Sequence, residues 1–332
     1  MLIAFVLGLY LSLGRVTGLN VRGVNLDIWD VDDSCTPYRP LLQKAFDDAA
    51  TMSAKALKDI KFVQQPRPQQ DTKRMESLEW DRIARAVNNI FGFNPDVQGT
   101  HPGNEFMQRI LQVYGDMSKA LHGNENIPAE GFTSLHSKAL LNCGDKTWKW
   151  YGGLDIDPYD PMRRQLHITQ PKVASNGGAW AYKRRYHANG NPHSIGICRP
   201  TVYAVTQAPY DMITFCDLSF DEDTREVVSP VDGKDKVVEG VTKLDDFAGS
   251  LSRIMVHELA HWYGSKKQKD GSITRHTYDF VIRLAMSHEG QFAQNSGPGK
   301  ATNTAEAYAY FAMMAYLDNF DWSSDGKAKS ME

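Results

Sequence analysis

Two histidines four residues apart, with a glutamate beside the first, restrict the local fold more than any other segment: His257-Glu258-Leu259-Ala260-His261. On an α-helix, residues four apart lie one turn above each other on one face. Both imidazoles can then point at one metal ion. Glu258 lies one step round the same helix, within reach of a water on that ion, which is the H-E-x-x-H pattern of a zinc peptidase. Leu251, Ile254, Met255 and Leu259 recur at helical spacing, so the sequence predicts a helix here. Asp245 or Asp246 is expected to cap it and Gly264 to end it.

The 332 residues are 42% hydrophobic and 23% charged, enough for a sizeable core. A net charge of −3 gives no global basic field, and no basic stripe is interleaved with aromatics. No nucleic-acid partner is therefore expected, and Lys183-Arg184-Arg185 reads as a solvated turn. The run Leu2–Gly14 is apolar but short, and Val16-Thr17-Gly18 offers small residues at cleavage positions. Residues 1–18 thus read as a signal peptide, which implies a secreted protein with no membrane attachment after processing. Cys35, Cys143, Cys198 and Cys216 allow two disulfides in that compartment. Spacing alone does not fix connectivity. Cys198 and Cys216 flank two strand-like runs around Pro209, which favours pairing them and leaves Cys35 for Cys143.

Residues 19–322 read as one α+β domain: a helical part (36–125), a sheet-rich part (130–220) and the metal-site helices (245–320). Helices are expected over 40–60, 75–91, 105–121, 280–295 and 303–319 from apolar spacing. Strands are expected at 25–31, 147–151, 165–168 and 200–216, in a small antiparallel sheet. A hairpin is expected around Asp232-Gly233, and residues 323–332 read as a mobile tail. The metal would sit in a cleft between the helical lobe and a sheet edge. That edge would hold an extended peptide by strand addition.

Several segments resemble the fungal aspzincins, the deuterolysin-like and peptidyl-Lys metalloendopeptidase group. They are His257–His261, the helix Thr304-Ala305-Glu306-Ala307-Tyr308-Ala309-Tyr310-Phe311-Ala312, the stretch from Cys198 to Cys216, and Trp29–Cys35 with its following Ala-rich helix. The resemblance spans most of the chain after residue 18, and the His257–His261 pentapeptide is its one highly specific motif. It implies a zincin-like fold and a secreted zinc endopeptidase, and it places the third zinc ligand on an Asp in a G-T-x-x-D-x-x-Y-G-like segment. Here the nearest match is Thr277-Tyr278-Asp279-Phe280, which lacks the glycine before Thr277 and the Tyr-Gly after Asp279.

The expected zinc set is therefore His257, His261 and Asp279, one Zn²⁺ per chain, with Glu258 as general base. Asp270 is the second choice for third ligand and Glu306 the third; His276 and His288 come later than a third-histidine site demands. Tyr278 is the first candidate to stabilise an oxyanion, with Tyr308 and Tyr310 behind it. Asp217, Asp221, Glu222 and Asp223 form an acidic stretch that reads equally as a solvated loop, so no lysine preference is assigned. The expected partner is a protein or peptide substrate, acted on by a monomer. The competing expectation is a secreted zinc-binding, antigen-like protein of the same fold with little or no catalysis.

Overall fold

The computed structural model describes residues 24–95, 104–134, 136–264, 277–287 and 296–331. The candidate signal segment, Asp270, His276 and His288 lie outside them. Six longer helices carry the core: α1 (Arg39–Val63), α2 (Arg74–Phe91), α3 (Asn104–Gly123), α4 (Leu251–Tyr263), α5 (Tyr278–Met286) and α6 (Ala305–Tyr316). Each predicted helix is thus present, shortened or lengthened by a few residues at its ends; the predicted continuation of α5 past 287 lies outside the described residues.

α6 explains the packing. Every residue from Ala305 to Ala315 is buried. A helix that is apolar all round belongs at the centre of a core, not on its surface. α1, α2 and α4 pack against it, and α3 packs on α1 and α4. Tyr114 donates to the Tyr308 carbonyl at 2.6 Å, satisfying a buried hydroxyl within this packing.

Among the described residues, seven short strands form two sheets: β1 (Asp30–Val31), β2 (Leu140–Cys143), β3 (Lys149–Gly152), β4 (Gly178–Tyr182), β5 (Arg185–His187), β6 (Ala204–Gln207) and β7 (Met212–Phe215). β3-β4-β5 is antiparallel, as expected. The other sheet, β1-β2-β7-β6, is mixed rather than antiparallel. β1 and β2 run parallel because α1, α2 and α3 are all inserted between them, the long crossover that parallel pairing requires. β2 and β7 are also parallel. β6 and β7 form a hairpin, antiparallel, and β6 is left at the sheet edge.

Both disulfides tie into this sheet. Cys35–Cys143 joins the segment after β1 to the end of β2, and Cys198–Cys216 closes the β6–β7 hairpin from outside. The pairing expected from the strand pattern is the one observed.

Four local expectations are corrected. Residues 25–31 are strand only at Asp30–Val31; before it, Leu26–Ile28 form a 3-10 turn started by Asn25, whose side chain accepts from Asp27 N. Leu166–Thr169 is a helical turn, not a strand; Thr169 Oγ1 donates to Asp157 at 2.6 Å and holds it closed. Asp232-Gly233 ends a helical turn, Pro230–Gly233, because Ser229 caps it and Pro230 sits at its first position. The segment after Trp322 is docked: Lys327 bridges to Lys243, Lys329 bridges to Asp321, and Ala328 is fully buried.

Candidate functional site

α4 begins at Ser250, whose hydroxyl accepts from Arg253 N. Ser250 is the cap, rather than Asp245 or Asp246. Asp245 is used elsewhere: it accepts from Tyr278 N at 2.9 Å and from Tyr310 OH at 2.6 Å. Gly264 does end the helix. Leu259, Met255 and Val256 are fully buried and fix α4 rotationally in the core. That rotation turns His257, Glu258 and His261 towards β6.

The two imidazoles lie one turn apart, edge to face, with ring centroids 4.8 Å apart and planes at 80°. His257 Nδ1 lies 2.7 Å from Glu306 Oε2. Beside a carboxylate oxygen, Nδ1 is the donor and Glu306 the acceptor, which fixes how the imidazole is turned. Glu306 is the charged residue in the buried run of α6, with no solvent exposure. A buried carboxylate of this kind needs compensation. It comes from His257 on one oxygen and from the Arg253 guanidinium, in contact with the other. Arg253, one turn before His257, is itself 4% exposed and lies over the Tyr310 ring.

Glu258 is held from the sheet side. Thr206 Oγ1, on edge strand β6, lies 2.7 Å from Glu258 Oε2 and 3.0 Å from its backbone carbonyl. The cleft between α4 and β6 has a volume of about 530 Å³. His257, Glu258, His261 and Arg253 line one wall and Tyr203 to Thr206 the other. The motif therefore opens between the helices and a sheet edge, where the pattern of elements had placed it.

The other candidates fall away from this cleft. Asp279 sits in the first turn of α5 with its side chain 71% exposed, paired with Arg283 at 3.1 Å. The structure does not bring it to the histidines. Thr277, rather than Asp279, caps α5. Glu306 does reach the site, where it meets Nδ1 of His257. Tyr278 OH donates to the Ser323 carbonyl and Tyr308 OH to the Thr302 carbonyl, so both are spent in the core. Tyr310 is spent on Asp245. Burial, the largest cause in each case, pushes the hydroxyls of Tyr278, Tyr308 and Tyr310 well above the usual tyrosine range. Among the described residues, no group of three or more His, Cys, Asp or Glu is placed to hold a metal.

Thr206 and Arg253 are the residues that pattern reading missed. Thr206 carries no signal of its own, because its role depends on β6 lying beside α4. Arg253 had one: it sits at i−4 from His257, on the same face, with the only charged residue of the α6 run opposite. Family models and curated proteins were both compared with the chain, and none matches it.

Proposed function

We propose that the protein is a secreted zinc-dependent endopeptidase. The observation that carries the reading is the geometry of α4: His257 and His261 edge to face on one side of the helix, His257 pinned by Glu306, and Glu258 beside them in a cleft bounded by edge strand β6. Two imidazoles one turn apart on a helix suit zinc, and a carboxylate behind a ligand histidine is the usual way its tautomer and orientation are fixed. His257 and His261 would hold the ion, with a third ligand drawn from outside the described residues, where Asp270 lies. Zinc bound there supplies a Lewis acid and a water acidic near neutral pH.

The remaining work falls to the chain. An extended substrate adds to the open edge of β6, its backbone paired with the strand. That pairing brings one peptide carbonyl over the α4 face. Glu258 takes the proton of the attacking water on its carboxylate and returns it to the leaving amine. Thr206, by donating to Oε2, keeps the carboxylate aimed into the cleft. Export through an oxidising compartment agrees with two disulfides and no free cysteine among the described residues.

The test is zinc content together with casein cleavage, on wild-type protein and on Glu258→Gln. One zinc per chain in both proteins, with cleavage only in the wild type, is the expected result. Zinc without cleavage in either would replace the peptidase with a zinc-binding protein of the same site, and no zinc would remove the metal reading.

A further inference from the structure

The cleft does not stop at β6. A second cavity, of about 610 Å³, opens on the other side of the strand and shares Val202 and Val205 with the first. Its walls are His187, Asn189, Asn191, Arg199 and Gln207, with Ile195 and Ile197 at its base. Side chains of a β-strand point alternately to opposite faces. On β6, Thr206 turns to Glu258, so Val205 and Gln207 turn the other way, into this second cavity. A peptide paired with β6 alternates in the same manner. Every second side chain would then face α4, and the ones between would face this cavity.

The lining has a definite chemistry. Among the described residues it contains no carboxylate. Arg199 supplies the one fixed charge among them and is exposed at the mouth. Burial holds the pKa of His187 below the usual histidine range. Asn189 is committed to the cavity's own wall, donating to the Ser194 and Ile195 carbonyls at 2.6 Å each. The wall is fixed as well: Cys198, beside Arg199, is tied to Cys216, and Cys198 N donates to Asp145. Arg199 is thus carried on a braced loop next to the strand that would hold the substrate.

We propose that this cavity is a specificity subsite for an acidic side chain of the substrate, bound by Arg199 at a position whose side chain points away from α4. The inference rests on the peptidase reading above. A carboxylate there gains a charge-assisted bond to the guanidinium, whereas a lysine meets only like charge.

The experiment is cleavage-site profiling of a mixed peptide library by the zinc-loaded wild type, Arg199→Ala and Arg199→Glu. The wild type is expected to favour Asp or Glu over neutral residues about tenfold at one position near the scissile bond. In Arg199→Ala the acidic-to-neutral ratio should fall to about one. In Arg199→Glu the preference should move to Lys or Arg, a gain that damaged folding cannot produce. Cleavage by the wild type with no acidic preference, or a preference that survives both substitutions, overturns the subsite and leaves the peptidase standing. No cleavage by the zinc-loaded wild type overturns both.

Discussion

At the scale of single residues, the arrangement around His257 makes two separable demands. Glu306 fixes the imidazole, and Arg253 offsets the charge of Glu306. Replacing Glu306 by Gln keeps the shape but replaces the carboxylate acceptor with an amide, whose nitrogen donates and whose oxygen is a weaker acceptor. Zinc affinity is expected to fall about 10- to 100-fold, read by competition with a chromogenic chelator. Replacing Arg253 by Met acts on the fold instead. It leaves a fully buried carboxylate without its cation, a loss of about 3–5 kcal/mol in denaturant unfolding. Asp279 is the contrast: exposed and paired only with Arg283, it can become Asn with zinc stoichiometry unchanged. Loss of zinc from Asp279→Asn would mean that α5 moves to the histidines when the metal binds.

At the scale of elements, α4 and β6 are each held by a device that can be removed. Ser250→Ala deletes the α4 cap and should lower stability by about 1 kcal/mol, seen as a small drop in melting temperature. Replacing Cys198 and Cys216 by alanine opens the brace on the β6–β7 hairpin, at a cost of about 3 kcal/mol. The helices were legible in the sequence because α1, α2 and α4 carry apolar spacing that packing then used. The disulfides were legible because the strands between Cys198 and Cys216 are marked by β-branched residues around a proline. The mixed sheet was not, since its parallel pairings join residues 30 and 140, then 140 and 212, across separations that no local pattern records. For the same reason His257, Glu258 and His261 could be read from spacing, while Thr206 could not. Glu306 was visible as an oddity in an apolar helix, but its meeting with Nδ1 of His257 is a property of how α6 crosses α4.

At the scale of the whole molecule, Asp32 couples the two sheets. It follows β1, and its carboxylate accepts from Tyr182 OH at 2.8 Å, while Lys183 lies 2.9 Å away, both at the β4–β5 turn. Burial pushes its pKa up, but hydrogen bonds from Ser34, Lys183 and Tyr182 outweigh that and bring it down to about 2. A carboxyl depressed in the folded state stabilises the fold above its unfolded pKa of about 4. That contribution is lost as pH falls from about 4 through about 2. Wild type should therefore lose stability over this window more steeply than Asp32→Asn, as followed by acid unfolding at fixed urea.

The segment after Trp322 was expected to be loose and is instead stitched back onto the fold as far as Lys329. Gly326 takes a positive φ of 73° and lies so close to the Tyr278 ring that a Cβ there would approach it to 2.6 Å. Its carbonyl accepts from Leu244 N, at the start of the turn whose Asp245 holds both Tyr278 and Tyr310. Cutting the chain after Trp322 would therefore strip a clasp from the turn that leads into α4, and would loosen the histidine helix without touching it.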